Sequence, residues 1–262
     1  MSSSIVLCEK EGANCIITIN RDEKRNAINQ DVYYGIRDAM LGVYTDPAVL
    51  TIIVRGAGKG FSSGIDFNFL AGMGIIGGTQ AHVRMKIREG QEIMNLIEDV
   101  EKPVIFAIHG YCFGAALELV LAGDFRVAQT GTKIGIQETA IGFIPDTGGI
   151  ARLTALVGPS FAKELIMTAG TIDADEAKAM GLVNRVADDA MEGALKLAHE
   201  IGRNAPLAVG LVKKLVRCGR HLDTRTFLEL EAIGQTLVCN TEDAKEGVTA
   251  KLQKRRAKFE GK

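Results

Sequence analysis

Three carboxylates in this chain stand where free carboxylates are costly. Glu118 lies in Gly114-Ala115-Ala116-Leu117-Glu118-Leu119-Val120-Leu121, four residues into a predicted helix that is apolar on all sides. Glu138 closes Lys133-Ile134-Gly135-Ile136-Gln137-Glu138, at the end of a predicted strand. Asp146 follows eight residues later in Ile141-Gly142-Phe143-Ile144-Pro145-Asp146-Thr147-Gly148-Gly149, a glycine turn able to re-enter the same cavity. Desolvation penalises a buried, unpaired carboxylate, so each needs a raised pKa or a partner. A buried ion pair or a capping role accounts for one such acid. Three acids converging on one apolar cavity point to general acid/base chemistry, with pKa values pushed apart. Ser63-Gly64 and Gly114-Ala115 add a second ingredient, because both sit where a strand gives way to a turn. Two backbone N–H groups presented there can hold the oxygen of a carbonyl as it becomes an enolate.

The elements that must place these groups are legible in the hydropathy pattern. Cys15–Asn20, Leu50–Val54 and Pro103–Ile108 read as short β-branched or buried strands. Residues 29–44 carry Val32, Ile36, Met40 and Leu41 at near-helical spacing, with Ile28 just before, and 83–99 carry Met85, Ile87, Ile93, Met94, Leu96 and Ile97. A glycine turn over His109–Gly114 leads into a buried helix, Ala115–Ala122, and strands follow near Phe125–Ala128 and Lys133–Ile136. That alternation implies α/β layering with mostly parallel crossovers. From about residue 160 the chain turns helical. Asp173 is placed as an N-cap with Glu176 three residues on, and Gly181 as a left-handed stop. Helices near 189–203, 206–218, 225–238 and 241–258 finish the chain. The predicted organisation is a core over 1–200 and a helical region over 201–262.

Composition excludes several functions. The 262 residues include 31 Lys+Arg and 32 Asp+Glu, a net charge of −1, so nothing draws the chain to nucleic acid or to an anionic membrane. Five cysteines without a Cys-x-x-Cys, and four scattered histidines, give neither a disulfide framework nor a metal-ligand spacing. No metal is expected, and the cytoplasm is the expected compartment. The N-terminus lacks the pattern of a signal peptide. The apolar run Val104–Gly123 reads as core, because His109-Gly110 breaks it and Glu118 is costly at a membrane centre. Glycine alone is in excess, with 30 residues, 16 of them in the windows 56–78 and 110–149. The surplus therefore lies in the turns around the candidate site.

Three motifs mislead. Gly72-Met73-Gly74-Ile75-Ile76-Gly77 matches a dinucleotide fingerprint but follows a predicted helix at Phe67–Ala71, where a strand is required. Gly56-Ala57-Gly58-Lys59-Gly60 lacks the Lys-Ser/Thr ending of a phosphate loop and reads as a surface turn. Gly60-Phe61-Ser62-Ser63-Gly64 is a literal G-x-S-x-G, which keeps open a serine hydrolase with Ser62 as nucleophile and His199 or His221 as base.

Four ordered blocks resemble the enoyl-CoA hydratase/isomerase (crotonase) family. They are Phe61–Asp66, His109–Leu119, Gly142–Gly149 and Ala174–Val183, and the resemblance runs from Asn20-Arg21 to Phe259. It implies a crotonase-like superhelix of repeated ββα turns, a C-terminal trimerisation region and a coenzyme A thioester substrate. No separate cofactor is implied, and the assembly would be a homotrimer or a dimer of trimers. The family's oxyanion hole falls on the N–H groups of Ser63 and Ala115, and its two hydratase glutamates on Glu118 and Glu138. Arg25, Ala27 and Ile28, the turn Gly64-Ile65-Asp66 and Gly114 fall where the family seats its ligand. Phe259, in a predicted C-terminal helix, matches a position that can reach a neighbouring subunit's ligand. Ala115 stands where glycine is commoner. Asp146 stands where the best-known hydratases carry glycine, and an acid there resembles the dienoyl-CoA isomerases. The paired glutamates favour hydration, with isomerisation through Asp146 as the alternative.

Overall fold

The computed structural model describes residues 5–219 and 222–262. Its centre is a six-stranded sheet whose strands, in spatial order, are β1 (Val6–Glu11), β2 (Asn14–Ile19), β3 (Thr51–Gly56), β4 (Val104–Ile108), β6 (Phe125–Gln129) and β9 (Arg185–Ala187). β1 (Val6–Glu11) runs antiparallel to β2 (Asn14–Ile19). Helix α1 (Gln30–Tyr44) then crosses to β3 (Thr51–Gly56). Helices α2 (Phe67–Gly72) and α3 (Gln80–Asp99) lead to β4 (Val104–Ile108). From β2 onward every pairing in this sheet is parallel. A parallel sheet is covered on both faces, so its strands read as continuous apolar runs. The buried run Thr51-Ile52-Ile53-Val54 shows why. Ile52 and Val54 join the core under α1, α3 and the helix Ala115–Leu121, whereas Ile53 joins a second cluster beneath the helix Ala190–Ile201.

The three-residue strand β5 (Tyr111–Phe113) precedes helix α4 (Ala115–Leu121), and β6 (Phe125–Gln129) returns to the main sheet. β7 (Lys133–Gly135) lies parallel to β5 and antiparallel to β8 (Thr171–Asp173), which makes a second, small sheet. Helix α5 (Gly149–Met167) bends at Gly158, where φ is +78°, just before Pro159. After α6 (Ala174–Ala179), β9 (Arg185–Ala187) and α7 (Ala190–Ile201), the chain ends in α8 (Pro206–Gly219), α9 (Thr224–Val238) and α10 (Glu242–Leu252).

Several expectations hold at the level of single residues. Asp173 and Glu176 form the reciprocal capping box, and Gly181 adopts φ +84°. The G-x-G-x-x-G segment follows helix α2, not a strand. Others are corrected. Glu138 does not end a strand: β7 stops at Gly135, and Glu138 opens a single 3-10 turn (Glu138–Ile141). The predicted turn His109–Gly114 contains β5, and helix α5 starts at Gly149, well before residue 160. The last helix ends at Leu252, so Phe259 lies in the irregular tail. Leu41 and Met85, apolar positions of the predicted helices, lie exposed. Among the described residues no helix is long and apolar enough to cross a membrane.

Candidate active site

Glu118, Glu138 and Asp146 line one cavity of about 510 Å³, together with Tyr33, Ile65 and Ala115. The rest of its wall is mainly aliphatic and aromatic side chains from α2, α3 and the loops around them. That size and lining suit a small-molecule ligand.

Glu118 is 2% exposed, one turn into α4. Its Oε1 accepts hydrogen bonds from the backbone N–H groups of Thr147 and Gly149, each at 2.9 Å. The turn that grips it is braced from α3 and from α5. Gln91 Nε2 donates to the Asp146 carbonyl at 2.7 Å, and Arg152 Nη1 donates to the Thr147 carbonyl at 3.0 Å. The Arg152 guanidinium also pairs with Glu98 at 3.0 Å. Gly149 is obligatory here, because a Cβ on it would stand 2.8 Å from Glu118 Oε1 and 2.6 Å from Pro145 Cβ. Burial pushes the Glu118 carboxyl up to about 7, and the nearby Glu138 charge adds to the effect; the Gly149 N–H pulls the other way.

Glu138 reaches the cavity from its 3-10 turn, with Oε2 buried and unpartnered among the described residues. Gly114 makes room for it: φ is +53°, and a Cβ there would lie 2.7 Å from Glu138 Oε1. Burial raises the Glu138 pKa, with the Asp146 charge adding, and burial raises that of Asp146 as well. The three acids thus share one weakly solvated space in which they cannot all ionise freely.

The loop residues separate into distinct roles. Arg25, Ala27 and Ile28 run beside Ser63–Asp66 as a short parallel bridge. Ser63 N–H donates to the Arg25 carbonyl at 3.0 Å, Ile28 N–H to that of Gly64 at 2.7 Å and Asp66 N–H to that of Ile28 at 2.9 Å. Ser63 is therefore not the free donor expected of it, because its N–H is consumed in this ladder. Strand-like alternation from the bonded Asp66 N–H turns the adjacent N–H, that of Ile65, the other way. Ile65 N–H and Ala115 N–H have no acceptor among the described residues, and both residues line the cavity. Ile28 is fully buried, and the Asp66 carboxylate is committed to Arg21 at 2.7 Å and to the start of α2. Arg21 also holds the Asp66 carboxyl below its ordinary range. Phe259 does not line the cavity; it packs near Gly247, beside a separate surface depression.

Ser62 is fully buried, its Oγ accepts from Gly64 N–H at 3.2 Å, and no described histidine is bonded to it. His109 bonds the Gly58 carbonyl, and His221 lies outside the described residues. No nucleophile–base pair forms there among the described residues.

Sequence reading places Ile65 at the ligand but not as a backbone N–H donor, and it misses Tyr33, Gln91 and Arg152. No sequence signal separates the Ile65 N–H from that of Ser63, because which of them is bonded depends on the carbonyls of Arg25 and Ile28. Tyr33 is hidden beside Val32 in the apolar stripe of α1.

Known proteins resemble this chain over its whole length. The family model described as Enoyl-CoA hydratase/isomerase matches residues 9–262. The chain is 38% identical to a crotonyl-CoA hydratase of Syntrophomonas wolfei, covering 99% of both chains. It is 33% identical to a peroxisomal Delta(3,5)-Delta(2,4)-dienoyl-CoA isomerase of Arabidopsis thaliana, covering 93% of this chain and 91% of the other. The crystal structure of an enoyl-CoA hydratase from Bacillus anthracis superposes with a TM-score of 0.92 at 32% identity, covering 98% and 100% of the two chains.

Proposed function

This chain belongs to the enoyl-CoA hydratase/isomerase family, and from that premise we propose that it adds water across the double bond of a 2-enoyl-CoA thioester. The observation that carries the reading is the pair of carboxyls with raised pKa values, Glu118 and Glu138, on one apolar cavity beside two unbonded backbone N–H groups. In this reading Ile65 N–H and Ala115 N–H hold the thioester oxygen, which gains negative charge as the enolate forms. The glutamates hold the water between them, and burial beside each other disfavours both being ionised at once. Water oxygen bonds to Cβ, one carboxylate takes the water's proton, and a carboxyl group delivers a proton to Cα. The reaction needs no separate cofactor, since coenzyme A arrives as part of the substrate. Five free cysteines suit a reducing compartment such as the cytoplasm.

Incubation with crotonyl-CoA should give 3-hydroxybutyryl-CoA, identified by mass. Failure to hydrate any short or medium 2-enoyl-CoA would falsify the hydratase reading. Isomerisation is the second reading, favoured by the place of Asp146 on the same wall and by the similarity to a dienoyl-CoA isomerase. It predicts solvent deuterium at the α or γ carbon without a new hydroxyl, and abolition of activity by Asp146→Asn. A hydratase should largely tolerate that substitution.

The assembly we infer is a homotrimer or a dimer of such trimers. Exposed apolar side chains on the terminal helices, among them Val212, Val216, Leu228, Ile233 and Leu237, support a buried interface there.

A further inference from the structure

Tyr33 is the one phenol that is both buried and on the wall of the acid-lined cavity among the described residues. It projects from the first turn of α1, is 8% exposed, and shares that wall with Glu118, Glu138 and Asp146. A buried tyrosine hydroxyl ordinarily finds a hydrogen-bond partner. This one has none among the described residues. Its donor therefore has only the cavity and its contents to serve.

The acceptors there can be counted. Glu118 spends Oε1 on the Thr147 and Gly149 N–H groups, which leaves Oε2 for the cavity. A water held between the two glutamates gives one hydrogen to each, the protonated one accepting on its carbonyl oxygen while its O–H faces Cα. Of the water's two lone pairs, one must attack Cβ. The other needs a donor. Neither Glu118 nor Glu138 can donate to that oxygen while accepting its protons, the Ile65 and Ala115 N–H groups are reserved for the thioester oxygen, and the Asp146 N–H faces its own carboxylate. We infer that the Tyr33 hydroxyl supplies this donor, so that Tyr33 is a third catalytic side chain, hydrogen-bonded to the oxygen added at Cβ. Burial raises the phenol's pKa, with the Glu118 charge the strongest of the three carboxylate contributions, so it stays protonated and able to donate. The gain is orientation: with three contacts the attacking lone pair has one direction left.

This assignment rests on the hydratase reading, so its test includes ligands whose binding does not depend on turnover. 3-Hydroxybutyryl-CoA carries the Cβ oxygen and butyryl-CoA does not. Calorimetry with both, in the slow Glu138→Gln background to prevent interconversion, compares Tyr33 with Tyr33→Phe. The hydroxy ligand should weaken about tenfold, the equivalent of about 1.4 kcal/mol, while butyryl-CoA changes less than about twofold. With Glu138 intact, Tyr33→Phe should lower kcat for crotonyl-CoA about tenfold and leave KM within about twofold. Equal weakening of both ligands, or none for either, overturns the role of Tyr33. A variant that fails to fold does so too, because the hydroxyl would then be serving the protein itself. Failure of the unsubstituted chain to hydrate any short or medium 2-enoyl-CoA instead overturns the hydratase reading, and the ligand pair still reports on Tyr33.

Discussion

The Glu118 carboxyl makes the site costly to fold, and the cost depends on pH. Its pKa is about 7 in the folded chain and near 4.5 when unfolded. Below pH 4.5 the group is neutral in both states and carries no penalty. As pH rises from 4.5 to 7 the unfolded chain ionises first, so stability falls, and above 7 the loss is complete. Each tenfold difference in proton affinity between the two states is worth ~1.4 kcal/mol, so the loss is on the order of 3 kcal/mol. Glu118→Gln keeps an acceptor for the Thr147 and Gly149 N–H groups and removes the charge. Its thermal midpoint should therefore exceed that of the wild type at pH 8 and converge with it near pH 4, while turnover falls by at least about a hundredfold. Denaturation curves at the two pH values check the first part, and steady-state hydration of crotonyl-CoA the second. Gly114→Ala is the complementary residue-scale test. A methyl group 2.7 Å from Glu138 Oε1, on backbone at φ +53°, must displace the carboxylate or distort the turn. Activity should fall at least about tenfold, with a loss of about 1 kcal/mol or more in stability read by urea titration.

At the scale of elements, the site is held by turns that helices and strands pin from both sides. The Asp146–Gly149 turn is tied to α3 through Gln91 and Arg152 and to α4 through Glu118. Arg152→Met leaves the Thr147 carbonyl and Glu98 without their buried partner. Such a break costs about 3–5 kcal/mol, and kcat should fall more than KM rises because the turn aims Glu118 at its target. Thermal unfolding and steady-state kinetics on the same preparation test both. Helices α1 and α3 are legible in sequence because burial on one face imposes a period, and the strands β2 to β4 because burial on both faces makes a continuous apolar run. The three-residue strands β5, β7, β8 and β9 are too short to carry a period and exist through their pairing partners. β1 has a mostly exposed face and an edge position, so its ladder with β2, more than its hydropathy, defines it. The same limit moved Glu138: an apolar run continuing past Gly135 resembles a longer strand, but β7 ends where its partner β5 ends.

For the whole molecule, the expected assembly makes a separate prediction. Light scattering after size exclusion should give three or six times the 28.1 kDa chain mass. Val216→Asp, on an exposed apolar position of α8, should shift that mass toward the monomer. Phe259 packs away from its own cavity, so Phe259→Ala should raise KM for the thioester only if the tail serves a neighbouring subunit's ligand. Sequence by itself determined the chemistry available: which carboxylates sit in apolar surroundings, where glycines cluster, and which α/β order positions them. Those follow from local rules, because hydropathy and turn chemistry act over a few residues. Tertiary structure decided which groups remain free to react. The Ser63 N–H is spent on Arg25 and that of Ile65 is not; the Asp66 carboxylate is spent on Arg21; and the Tyr33 hydroxyl has no bond within the described protein. Availability of a donor or acceptor depends on partners distant in sequence, and only the folded chain brings those partners into hydrogen-bond range.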